Sequence, residues 1–142
     1  MKLNEVMTRK VEIIQPDDSL QTAARKMRDH DIGFLPVFEG DQLVGVLTDR
    51  DLVVRALANG TNSNAILGRD LMTSPVIYCF DDQDVEEAAH LMHANHIRRL
   101  VILGRRSNRM VGIVSLGDLA EIVDDKTSGK LLQSVSTAVV SR

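Results

Sequence analysis

Leu43-Val44-Gly45-Val46-Leu47-Thr48-Asp49-Arg50-Asp51-Leu52 returns 67 positions later as Met110-Val111-Gly112-Ile113-Val114-Ser115-Leu116-Gly117-Asp118-Leu119. In both stretches an apolar run with Gly at its third place ends on a hydroxyl, and a carboxylate follows three residues on. Upstream the correspondence continues at a shift of 65. Met7-Thr8 falls on Met72-Thr73, Val11 on Val76, Asp17 on Asp82, Ala23-Ala24 on Ala88-Ala89, Met27 on Met92 and Leu35 on Leu100. The two extra residues enter where 38–42 is replaced by 103–109, both turn-like stretches in which insertions cost little. A register kept through helix, strand and turn marks an internal duplication.

Each repeat reads as strand, helix, strand, turn, strand, helix. In the first, residues 11–14 predict a short strand closed by Pro16-Asp17-Asp18-Ser19. Asp18 or Ser19 caps a helix over residues 20–29, and residues 82–84 do the same in the second repeat. Leu20, Ala23, Ala24 and Met27 recur at helical spacing and predict its buried stripe. Residues 32–38 and 42–47 form a hairpin around Glu39-Gly40-Asp41, and a last helix spans 49–58. The expected organisation is repeat one over 3–58, a polar linker over 59–67, repeat two over 68–124 and a tail over 125–142. A repeat of roughly 50 residues buries too little surface to stand alone, so the two are expected to pack together.

Composition narrows the function. The chain has 142 residues, 44% hydrophobic and only 3% aromatic, so its core is built from aliphatic side chains and Met. A net charge of −3 opposes a protein that coats nucleic acid. Arg105, Arg106 and Arg109 read as an exposed turn. The single cysteine, Cys79, excludes an internal disulfide and reads as a buried, inert thiol. The first residues lack a secretory signal, and no run approaches the ~18 apolar residues of a membrane span, so a cytoplasmic protein without a membrane partner is expected. His90 and His93 share a helix face, but the repeat register sets them on Arg25 and Arg28 of the solvent side, so no metal site is expected. No constellation of nucleophile and base, and no phosphate loop, announces an enzyme or a required cofactor.

The chemistry rests on Thr48-x-x-Asp51 and Ser115-x-x-Asp118. Two readings stand side by side. A hydroxyl followed three residues later by an acid is a capping box that starts a helix. The same pair suits a nucleoside phosphate, with the hydroxyl and free N–H groups facing phosphate and the carboxylate accepting ribose hydroxyls.

Met-Thr, a short strand, Ala-Ala-x-x-Met, an apolar strand and Gly-h-h-[Thr/Ser]-x-x-Asp together resemble the CBS domain, named after cystathionine β-synthase. The resemblance covers about residues 3–124, with Thr48-Asp49-Arg50-Asp51-Leu52 and His96-Ile97-Arg98-Arg99-Leu100 as characteristic phrases. It implies a mixed α/β (α+β) fold of two β-α-β-β-α repeats packed as a pseudo-twofold pair, with clefts that hold AMP, ADP, ATP or S-adenosylmethionine as a regulatory ligand. Carried over by position, Asp51 and Asp118 take ribose hydroxyls, and Thr48 and Ser115 face phosphate. Val11, Ile13, Pro75, Val76 and Ile77 sandwich the base, joined by Ile32, Phe34 and Pro36, with Thr73 opening the second of these segments.

The repeats differ, and the differences imply unequal clefts. Gly33-Phe34 corresponds to Arg98-Arg99, which would supply charge for phosphate, and Arg50 stands where the second repeat has Gly117. The resemblance further implies a homodimer and an unidentified protein partner. The competing expectation is a ligand-free structural or oligomerisation adaptor.

Overall fold

The computed structural model describes residues 1–60 and 65–122; the expected tail and the middle of the linker lie outside them. Helices and small sheets are mixed, and the chain divides into two compact units. One is Val11–Val76. The other combines Met1–Lys10 with the described residues from Ile77 on.

In the Val11–Val76 unit, Ser19 opens α1 (Leu20–His30) by accepting the Thr22 N–H on its hydroxyl at 3.1 Å. The helix ends at Asp31 in the left-handed region, φ 53°. Strands β1 (Phe34–Glu39) and β2 (Gln42–Thr48) pair antiparallel, with Gly40 at φ 61° in the turn. Leu35, Val37 and Leu47 alternate onto the face that meets Leu20, Ala23 and Met27 of α1. Past β2 the chain makes a single turn, α2 (Asp49–Asp51), and later a short α3 (Gly68–Leu71).

Three expectations need correction here. Residues 11–14 are not a strand. Only Ile14 pairs, donating to Pro36 O at 3.0 Å and accepting from Phe38 N at 2.8 Å, and Pro16 two places on has no N–H with which to extend the ladder. The helix expected over 49–58 is broken: α2 passes into a π-helical Leu52–Ala56 and a 3-10 turn Leu57–Asn59 that stops at Gly60, φ 68°. Adjacent β-branched Val53 and Val54, both exposed, give this segment little reason to stay regular. Ala24 is exposed, whereas its counterpart Ala89 is buried.

The other unit supplies the reason. It holds β3 (Tyr78–Phe80), α4 (Val85–Asn95), β4 (Arg99–Leu103), β5 (Met110–Ser115) and α5 (Leu116–Ala120). There α4 packs on α5 as well as on β4, so its apolar stripe is wider than that of α1, whose chief neighbour is β1. Strand β4 lies between β3, to which it is parallel, and β5, to which it is antiparallel. Leu100, Ile102, Val114 and Cys79 turn toward Ala88 and Met92 of α4. Burial, with a smaller contribution from the charge of Glu87, pushes the Cys79 thiol up to about 11. That is the inert thiol expected.

Each unit closes with a segment distant in sequence. A 3-10 turn at Leu3–Glu5 docks beside α4 through Leu3 N to Gln83 O, 2.9 Å, and Thr8 pairs with Ile113 of β5. Correspondingly, α3 docks beside α1 through Gly68 N to Asp18 O, 2.8 Å, and Thr73 pairs with Val46 of β2. These are equivalent contacts in the repeat register, at a shift of 65 for Leu3, Thr8 and Asp18 and of 67 for Val46.

Candidate functional site

Strand β2 ends at Thr48 and β5 at Ser115, and both hydroxyls cap the turn that follows. Thr48 Oγ1 accepts from Asp51 N at 3.2 Å while Asp51 Oδ2 accepts from Thr48 N at 2.9 Å. Ser115 Oγ accepts from Asp118 N at 3.1 Å and Asp118 Oδ2 from Ser115 N at 3.0 Å. The capping box is thus present twice. It uses one oxygen of each carboxylate. The other oxygen of Asp51 lies 3.7 Å from Arg55 Nε, which is an exposed position. That of Asp118 has no partner among the described residues. All four side chains are half-buried, and a half-buried carboxylate held by its backbone is an acceptor aimed in a fixed direction.

Register decides what stands beside them. Residues directly opposite in an antiparallel pair share a face of the sheet. Phe34 pairs with Thr48 and Pro36 with Val46, whose other neighbour is Thr73. Phe34, Pro36, Val46, Thr48 and Thr73 therefore lie on the face away from α1. In the other unit Arg99 pairs with Ser115, Val101 with Ile113, and Ile113 with Thr8, on the face away from α4. Tyr78 pairs with Val101 and so joins that face, 43% exposed.

Most residues expected at the site fall into two groups. The Val11–Val76 unit gathers Phe34, Pro36, Thr48, Asp51 and Thr73 on or beside one sheet face, with exposed Ile13, Arg50 and Pro75 and half-buried Val11 and Val76 in the same unit. The other gathers Arg99, Ser115 and Asp118, with Arg98 next to Arg99 and its carbonyl accepting from Leu116 N at 2.8 Å. Two residues go elsewhere: Ile32 and Ile77 pack against the helical cores. Tyr78 was missed. A signal for it existed, because the shift of 65 that sets Val11 on Val76 also sets Ile13 on Tyr78.

Further along, Arg105 stacks over Phe80 at 4.1 Å and holds Asp82 through Nη2 at 2.9 Å and Nε at 3.0 Å. Phe80 meets Tyr78 edge to face, centroids 5.5 Å apart. The hydrogen bond from Arg105 lowers the Asp82 carboxyl below its usual range. His90 and His93 are exposed on α4, and among the described residues no three His, Cys, Asp or Glu side chains gather as a metal site would require. No described helix is long and apolar enough to cross a membrane.

A family model for the CBS domain matches residues 3–57 and 68–125, one match for each repeat. The chain belongs to the CBS domain family. Its relatives include the CBS domain-containing protein YhcV of Bacillus subtilis, 34% identical over 94% of this chain and 94% of that protein. Hypoxic response protein 1 of Mycobacterium tuberculosis is 33% identical, over 82% of this chain and 80% of its own length. Among solved structures, the CBS domain pair of protein MJ0100 in complex with 5′-methylthioadenosine and S-adenosyl-L-methionine matches with a TM-score of 0.77 at 25% identity. The match covers 89% of this chain and 98% of that one. The CBS matches begin at residues 3 and 68, yet Met1–Lys10 belongs to the compact unit of the second match and α3 to that of the first. Each CBS repeat lends its opening segment to the other's unit.

Proposed function

We propose that this CBS pair is a regulatory ligand-sensing module that binds an adenosine-containing ligand and carries out no catalysis. One observation carries the reading. In both units a backbone-anchored carboxylate, Asp51 or Asp118, stands beside a hydroxyl that closes the same strand, on a chain of a family in which the MJ0100 pair binds two adenosyl compounds. Each carboxylate keeps an oxygen beyond the one its cap consumes, and a ribose offers two hydroxyl donors to such an acceptor. Apolar Phe34, Pro36, Val101 and Ile113 flank these polar groups, as a purine requires. Binding shifts the protein between states by the ligand's difference in affinity for them, and a partner, which includes a second copy of this chain, reads that shift.

The capping boxes favour one alternative, a structural adaptor whose Asp residues only start helices. A thermal-shift series with AMP, ADP, ATP and S-adenosylmethionine separates the two. At ~100 times Kd a ligand specific for the native state adds ~2.7 kcal/mol. A melting rise of several degrees, absent in an Asp51→Asn, Asp118→Asn double variant, supports the sensor. Asparagine keeps the carbonyl oxygen that caps, so that variant should stay folded. No rise with any of the four ligands supports the adaptor.

A further inference from the structure

Asp51 and Asp118 cap their turns alike, yet only Asp51 shares its remaining oxygen with a cation of its own turn. Arg55 Nε lies 3.7 Å from Asp51 Oδ1, the oxygen that the cap leaves over. The same guanidinium also holds the chain elsewhere. Arg55 Nη1 donates to Leu71 O at 2.9 Å and lies 3.5 Å from Met72 O. These carbonyls close α3 and lead into the stretch that docks on β2 through Thr73 N to Val46 O, 2.9 Å. Arg55 therefore stands between the carboxylate and the docked segment, all within the Val11–Val76 unit.

The other unit has no such bridge. At the shift of 67 Arg55 falls on Ile122, which has no side-chain donor and makes no equivalent tie to Val6 and Met7, the counterparts of Leu71 and Met72. The backbone differs as well: Arg55 sits in the π-helical Leu52–Ala56, whereas α5 is α-helical. A π turn widens the helix locally, and such turns gather at functional positions. Two demands thus meet at Asp51 Oδ1. A ribose hydroxyl donating to it uses the negative charge that the guanidinium partly neutralises. At 3.7 Å the cation is too far to donate a hydrogen bond and near enough to attract. The Asp51 side chain is only 14% exposed, so water screens that attraction less than at an open pair.

We infer that Arg55 competes with a ribose for Asp51, so that a ligand arriving there loosens the docked segment at residues 71–73. Asp118, free of this competitor, is the acceptor that fills first. Asp51 is the one whose filling is felt along the chain, because residues 71–73 run on into β3 of the other unit. What the ligand gains at Asp51 is offset by what the docked segment loses, and linkage makes the exchange reciprocal. The inference rests on the adenosine-binding reading and names how one of its two sites is regulated.

Adenosine is the probe, since its 5′ hydroxyl brings no phosphate to draw Arg55 aside. Calorimetric titration of the parent chain should show a tighter and a weaker event. The first should weaken ~tenfold or more in Asp118→Asn, the second in Asp51→Asn. Arg55→Gln should strengthen the weaker event by about threefold, and Arg55→Lys, which restores the charge, should return it toward the parent value. An arginine that only braced the fold would weaken binding when removed. Hydrogen exchange reads the docked segment directly. The Met72 and Thr73 amides, which donate to Gly68 O and Val46 O, should exchange faster in ligand-free Arg55→Gln and Asp51→Asn than in the parent. Adenosine should speed them in the parent and add nothing in Arg55→Gln. A weaker event that Arg55→Gln leaves alone or diminishes overturns the competition while leaving an adenosine-binding protein. So do Met72 and Thr73 amides that neither substitution moves. Failure of adenosine to bind the parent chain overturns the adenosine reading and the competition with it.

Discussion

The two units solve one packing problem with opposite distributions of volume. Where the opening turn of the chain docks, Leu3 is fully buried, and the core it enters holds Cys79. In the other unit the docking residue is Gly68, and Cys79 is matched by Ile14, whose Cδ1 would lie 3.1 Å from a Cβ at position 68. A large side chain over a small one has become a small over a large. Cores tolerate such exchange when total volume is kept. The duplicated sequence therefore preserves a shape rather than a set of residues, and the site faces, where no such conservation of volume applies, have diverged in charge.

The comparison breaks most visibly if one partner is changed alone. Leu3→Ala should cost about 2–5 kcal/mol by leaving a cavity, and Gly68→Leu about 1–3 kcal/mol by overpacking. Adding Ile14→Ala to Gly68→Leu should restore part of that loss, read as the urea midpoint at constant slope. Equal behaviour of the double and single variants would mean that the two residues do not share their space.

A smaller effect sharpens the helix starts. Ser19 and Asp84 are equivalent N-caps, but Ser19 makes its side-chain bond and Asp84 makes none, its carboxylate instead meeting Lys2 at 3.2 Å. Ser19→Ala should cost ~1 kcal/mol, independent of salt. Asp84→Ala should cost less, and its cost should shrink as salt rises. Equal losses with the same salt response would remove the distinction.

The smallest effect concerns acid. Arg105 holds Asp82, whereas Asp17, its counterpart in the first repeat, makes no ion pair with a described residue. Since the folded carboxyl of Asp82 titrates below its unfolded value, the pair stabilises the fold above the ordinary carboxylate range, and the contribution disappears as pH falls through the folded value. Arg105→Gln should flatten the acid limb of a pH series of urea midpoints slightly. A limb that Arg105→Gln does not move would show the pair to be inert in solution.

Features carried by near neighbours were readable in the chain. The hairpins, the caps at Ser19, Thr48 and Ser115 and the stripe of Ala88, Ala89 and Met92 follow from spacings of two to four residues. Features decided at a distance were not. Ala24 has the right spacing for burial but is exposed, whereas Ala89 lies buried in α4, which packs on α5 as well as on β4. The strand expected at 11–14 satisfies its composition yet ends after one bridge because of Pro16. At the site, the motif located both hydroxyl-carboxylate pairs, and alternation along the strand left open which of Arg98 and Arg99 faces Ser115. Only the cross-strand register assigns Arg99, and only the same register brings in Tyr78.

The exchange of opening segments also sets an order in time. On a chain made from its N-terminus, residues 1–10 precede Gln83, Ile113 and the rest of their docking site by more than 70 residues. The Val11–Val76 unit is contiguous in sequence, so all of its own segments are made before the docking site of residues 1–10 is complete. Residues 1–10 thus wait longest for their partners, and their unit is completed by a segment made well before the rest of it.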